Sequence, residues 1–231
     1  MSTEHSFDFS YAFNTPQRLE FQGHSVVSFN GDNPSRTELT YTLHSPAIPC
    51  RDIIFIGFNP GTAGVPFIGK TPDAQGTTKL SDPTVRRVLS MLGSDLGDFR
   101  TDTPRHPRVT FCNLFAFAKP SLNRGHSDVL DPVPARIGLE KRLNEFPNAL
   151  IICGWGMKTS WASKGFGDAM AQQIDAITPL LSERPCYRAR PVNPVITDAP
   201  HDARSWSPLA RLSENQRTFA HLERYRPKST D

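Results

Sequence analysis

Apolar residues along this chain gather into short dense runs separated by polar, proline-rich stretches. Asp52–Phe58 (DIIFIGF), Val109–Phe115 (VTFCNLF) and Ala149–Trp155 (ALIICGW) are β-branched and aromatic almost throughout. That pattern belongs to strands covered on both faces, and so to a parallel sheet. Thr37–Leu43 alternates like a strand with one wet face, and Cys186–Arg190 reads as a further short strand. Between these runs the spacing turns helical: Thr84–Leu92, Pro134–Phe146, and Met157–Leu181 with Gly165 and Gly167 marking a break. Asp82 suits an N-cap and Pro83 the first helical position. Strands alternating with helices predict a three-layer α/β/α sandwich with a central parallel sheet and right-handed crossovers. Residues 1–35, rich in Ser, Asn and Phe, read as an irregular N-terminal extension, and residues 36–231 as a single domain.

Composition narrows the class. With 231 residues, 37% hydrophobic and 21% charged, the chain can bury a sizeable core and reads as a soluble globular protein. Its 21 prolines predict many ordered loops between short elements. No apolar run approaches the roughly 20 residues of a membrane helix. The first residues carry Glu4 and Asp8 and no apolar stretch, so no secretory signal is expected and the location reads as cytoplasmic. Cys50, Cys112, Cys153 and Cys186 show no C-x-x-C spacing and the seven histidines no H-E-x-x-H, so neither a metal nor a cofactor is expected. Charge is uneven: residues 1–50 hold five acids against two bases, residues 184–231 nine bases against five acids. A basic face would draw on that C-terminal segment.

The candidate chemistry lies where the predicted strands end, because ligands of open α/β sheets bind beyond the carboxyl ends of the strands. The first central strand ends in Gly57-Phe58-Asn59-Pro60-Gly61, the second in Asn113-Leu114-Phe115, the third in Gly154-Trp155-Gly156, and the last leads into Pro191-Val192-Asn193-Pro194. Three asparagines would then surround one crevice, although each alone also fits an Asx turn after a strand. Gly64 to Thr71 (GVPFIGKT) satisfies the phosphate-loop pattern through Lys70. It begins six residues beyond Phe58, however, and Pro72 follows Thr71 where a helix should start.

Taken in order, Phe55-Ile56-Gly57-Phe58-Asn59-Pro60-Gly61-Thr62-Ala63, then Ser81-Asp82-Pro83-Thr84-Val85-Arg86-Arg87, Asn113-Leu114-Phe115-Ala116 and Gly154-Trp155-Gly156 resemble the family known as domain of unknown function 1643. That family is placed in the uracil-DNA glycosylase-like superfamily, whose mismatch-specific branch has a similar Gly-x-Asn-Pro-Gly loop. The resemblance covers about residues 38 to 200. It implies a uracil-DNA glycosylase-like fold and hydrolysis of the N-glycosidic bond of a flipped uracil, thymine or modified pyrimidine in DNA. Asn59 would orient water, and Asn113 would read the base edge. Phe58 or Phe67 would stack on the base, and the N–H groups of Gly61 to Ala63 would face it. The loop entering DNA would be Asn193-Pro194, or Ser207-Pro208 with His201 nearby, making Asn193 and His201 catalytic candidates. Arg86, Arg87, Arg188, Arg190 and Ser207 would contact phosphates. DNA is the implied partner, with no membrane and no cofactor. The alternatives are a non-catalytic module binding a base or DNA in the same crevice and, further off, a nucleotide-binding protein acting through Lys70.

Overall fold

A computed structural model describes residues 3–14, 18–30, 33–43, 50–61, 63, 84–86, 88–89, 106–118, 122, 126, 130–156, 161–189 and 222–224. The chain is mixed α/β. Its strands are β1 (Thr3–Asn14), β2 (Arg18–Asn30), β3 (Asn33–Leu43), β4 (Cys50–Gly57), β5 (His106–Asn113), β6 (Leu150–Cys153), β7 (Cys186–Ala189) and β8 (Leu222–Arg224). They form one sheet in the order β1-β2-β3-β5-β4-β6-β7-β8. The four inner strands β5-β4-β6-β7 run parallel, as the dense apolar runs predict. The sheet as a whole is mixed, because β1–β2–β3–β5 and β7–β8 pair antiparallel. Within the parallel set the first strand, β4, lies between the second and the third. That is a doubly wound order, with its switch point at the carboxyl end of β4.

Both faces of the parallel strands are covered. On one, Ile54, Ile56, Cys112, Ile151 and Cys153 pack under helices α1 (Val133–Glu145) and α2 (Gly167–Leu181). On the other, Ile53, Phe55, Val109, Phe111 and Ile152 pack with Val85, Val88 and Leu89, where residues 84–86 and 88–89 are helical. Helix α1 begins where the Asp131 carboxylate accepts the Val133 N–H at 2.9 Å, and Pro134 occupies its first turn, where no N–H is needed. The predicted break before α2 falls at residues 163–165, where Gly165 takes φ 87°, a conformation that other residues resist. Gly167 then lets α2 start against Ala162, since a Cβ there would lie 2.9 Å from the Ala162 Cβ.

The irregular reading of residues 1–35 is corrected by the structure. These residues supply β1, β2 and the beginning of β3, paired along Thr3↔Phe29 to Asn14↔Arg18 and Phe21↔Leu43 to Asn30↔Asn33. The physical reason is period-two alternation: Phe7, Phe9 and Tyr11 fall on one face of β1, with the exposed Glu4, Ser6, Asp8 and Ser10 on the other. That aromatic face closes on Tyr41 of β3. Rings of Phe9, Tyr11, Phe21 and Phe111 meet Tyr41 edge-on at centroid distances of 5.6, 5.8, 6.4 and 5.9 Å. Phe9 lies across Gly23 of the neighbouring strand, where an added Cβ would come within 2.1 Å of the ring. The described residues include no helix long and apolar enough to cross a membrane.

Tyr41 is fully buried and joins the hairpin to the parallel core. Tyr41→Ala is therefore expected to lower the unfolding free energy by about 3–5 kcal/mol, the range for truncating a large buried aromatic, as read by urea denaturation.

Candidate functional site

Gly57 and Asn113 are register partners at the carboxyl ends of β4 and β5. The pairing continues beyond the strands: Leu114 N–H donates to the Gly57 carbonyl at 2.9 Å and Phe115 N–H to the Phe58 carbonyl at 3.0 Å. On the other side of β4, Gly154 N–H donates to the Ile56 carbonyl at 2.8 Å. Three strand ends named by the sequence are thus held side by side at the switch point.

Alternation assigns the side chains to faces. Asn113 follows Val109 and Phe111 on the face that carries residues 84–86 and 88–89, and Gly57 follows Ile53 and Phe55 on the same face. The absence of a side chain at Gly57 makes room for Asn113, because a Cβ there would lie 2.7 Å from the carboxamide. Oriented by its partners, that carboxamide turns its nitrogen to the Cys112 and Asn59 carbonyls, each at 3.2 Å. The bond to Asn59 ties Asn113 to the loop after β4, while the bond to Cys112 stays within its own strand, so a ligand would meet the carboxamide through its oxygen, an acceptor. Asn59 and Asn113 are each partly exposed. Gly61 takes φ 59°, so the Asn-Pro-Gly turn needs glycine at its end.

Phe58 lies on the opposite side. It is only 4% exposed and packs with Phe115, Trp155 and Phe166 beneath the helices. The Trp161 ring stacks on it at 3.7 Å and 11°. Trp161 is fixed in turn by its indole N–H, which donates to the Trp155 carbonyl at 2.7 Å, and the Lys164 ammonium sits 4.7 Å from its ring centroid. A base could stack on that face of Phe58 only if Trp161 left, and it would then be across the sheet from Asn113. Trp155 is fully buried, a core residue. Arg86 is exposed on the helical segment flanking the Asn113 face. Arg188 lies in β7 next to Cys153 of β6. Phe67, Lys70, Arg87, Arg190, Asn193, His201 and Ser207 lie outside the described residues, as does the side chain of Arg188.

Sequence reasoning missed the charged group behind these loops. Arg36, 3% exposed, donates from Nη1 to the Ala63 carbonyl, and its backbone N–H donates to the Ala116 carbonyl at 2.7 Å. Nearby, Glu38 is ion-paired with Arg142 of α1, which also reaches Glu145 at 2.5 Å. Cys112 is fully buried, and loss of hydration drives its thiol from 9.0 up to about 12. The Arg142 and Arg36 charges oppose that shift and Glu38 adds to it. Another ion pair, Asp52 with Arg108 at 2.6 Å, lies at the far end of β4 and β5, where Arg108 covers the Phe146 ring at 4.1 Å. It is remote from the rim. No group of three His, Cys, Asp or Glu side chains suited to a metal ion occurs among the described residues.

No protein-family model, no curated protein and no solved structure matches this chain.

Two outcomes test the geometry. Gly57→Ala is expected to cost about 1–3 kcal/mol through overpacking, and to cost less in an Asn113→Ala background, a non-additivity that a double-mutant cycle reads directly. The Cys112 thiol is expected to resist iodoacetamide in the native protein at mildly alkaline pH, as peptide mapping would show. Its folded pKa lies above its unfolded value. Its contribution to stability is therefore intact below pH 9.0 and lost as pH rises towards about 12.

Proposed function

We propose that this protein is a DNA glycosylase-like enzyme of uracil-DNA glycosylase-like fold, hydrolysing the N-glycosidic bond of a flipped pyrimidine. The observation that carries this reading is the meeting of the Asn59 turn and Asn113 at the carboxyl ends of β4 and β5, beside the switch point, held by the Asn113 carboxamide. The doubly wound order of the four parallel strands and the likeness of the four motifs to domain of unknown function 1643 support it further.

Breaking the bond between C1′ and a pyrimidine nitrogen leaves positive charge on the sugar and negative charge on the departing base. Such a site needs oriented dipoles more than a strong nucleophile. The Asn113 carbonyl oxygen, with its nitrogen already committed, suits the imide N–H of uracil or thymine. Asn59 can orient a water but has no proton-accepting group of useful pKa, so the rates expected are modest. The Gly61 φ of 59° shapes the backbone that faces the base. Extrusion of a paired base costs a few kcal/mol, which favours a mismatched, damaged or single-stranded target. Arg86, exposed beside that face, is a phosphate contact.

The test is incubation with oligonucleotides carrying a panel of pyrimidines, followed by alkali cleavage and mass spectrometry of the released base. Abasic sites are expected with the wild type, and Asn59→Ala is expected to reduce their formation by about 100-fold or more while DNA binding persists. DNA or base binding without any abasic product from the wild type would mean a non-catalytic module using the same crevice.

A further inference from the structure

The sheet ends in two unlike edges. On one side stands β8, no longer than Leu222–Arg224 and carrying Glu223 and Arg224. Short, charged edges resist pairing with other chains. On the other side stands β1, which runs from Thr3 to Asn14 and whose strand partner among the described residues is β2 alone. It contains no Lys, Arg or Pro, the residues that blunt such an edge. Its acids are Glu4 and Asp8, and Asp8 accepts a hydrogen bond from the His24 ring of β2 at 2.7 Å. Glu4, Ser6, Asp8, Ser10 and Ala12 are exposed, and Phe7, Phe9 and Tyr11 stay half-buried although Phe9 and Tyr11 pack on Tyr41. A long strand edge is thus combined with a row of aromatic rings that its own sheet covers only in part.

We infer that β1 is a docking edge for a second copy of this chain, the two β1 strands pairing antiparallel across a two-fold axis at Phe9 so that two sheets join into one. The residues of β1 select both partner and register. A two-fold axis normal to the sheet keeps like faces together, so odd positions stand opposite odd and even opposite even. With the axis at Asp8, two carboxylates would stand directly opposite each other, a destabilising arrangement. An axis at Phe7 or Ser10 shortens the overlap to residues 3–11 or 6–14. The axis at Phe9 avoids both faults and pairs residues 4–14, about 37 Å of strand. Phe9 then stands opposite Phe9 of the second copy and Phe7 opposite its Tyr11, so the aromatic row continues across the junction. Cross-strand aromatic pairs are favourable. On the solvent face Asp8 meets Ser10 of the second copy, whose hydroxyl can donate to the carboxylate, and Ser6 meets Ala12. The contact is isologous and leaves the short β8 strands at both ends of the joined sheet, so growth stops at the dimer.

Sedimentation equilibrium of the full chain over a range of concentrations tests this. The wild type is expected to be mainly dimeric at about 100 μM, because a single strand edge belongs to the smaller specific interfaces, with dissociation constants in the micromolar range. Ser10→Asp sets an acid opposite Asp8 at both symmetry-related positions and is expected to raise the dissociation constant by roughly fivefold. Ser10→Lys sets a cation there and is expected to lower it. Ser10 is exposed, so neither change disturbs the core. A wild type that stays monomeric at about 100 μM overturns the inference. So does a dimer that both variants leave unchanged or weaken equally, which would place the contact elsewhere, and so does assembly beyond a dimer. The wild-type measurement needs no variant, so a poorly folding substitution leaves the inference open to refutation.

Discussion

The in-register parallel pairing of β4 with β5 is the constraint on which this structure turns. It sets Gly57 beside Asn113, and the hydrogen bonds of Leu114 and Phe115 carry the same pairing into the loops. Because the first parallel strand lies between the second and the third, the switch point falls between β4 and β6, and the loop after β4, which Asn113 braces, borders it. A bulkier residue at 57 would displace the carboxamide that ties the two turns, and with it the arrangement of the rim. The apolar runs supply the energy: strands β4, β5 and β6 bury residues on both faces, so the register of their ends is set by packing from two sides.

The antiparallel hairpin of β1 and β2 extends this core and also conditions the site. It holds β3 through Tyr41 and its ring contacts, and β3 in turn delivers Arg36 and Glu38. One bulge splits these two charges between the faces of the sheet. Glu38 neutralises Arg142 under α1, while Arg36 donates to the Ala63 carbonyl. A strand outside the motif-bearing segments thus supplies a charged side chain that meets the Ala63 carbonyl.

Much of the scaffold was legible because its signals are local. The runs at 52–58, 109–115 and 149–155 correspond to β4, β5 and β6, Pro134–Phe146 anticipates α1 within a residue, and Gly165 closes the turn before α2. The first 35 residues carry their strand signal as alternation, Phe7, Phe9 and Tyr11 separated by Asp and Ser, and a Ser- and Asn-rich composition masks it. The candidate site was legible in its asparagines and not in its facing. Phe58 follows Gly57 in sequence, but alternation sends it to the helix side under Trp161. Arg36 could not be found from spacing, since a bulge is a property of two strands and neither sequence announces it.

The central claim is that a pyrimidine binds at the rim on the Asn113 face, against the turn of Asn59. Selective 15N labelling of asparagine and tryptophan, followed by NMR during titration with uracil, measures this most directly. The account predicts movement of the Asn113 side-chain amide and the Asn59 backbone signal while the Trp161 indole resonance, across the sheet, stays in place. Movement of the Trp161 resonance with Asn113 and Asn59 unchanged would contradict it.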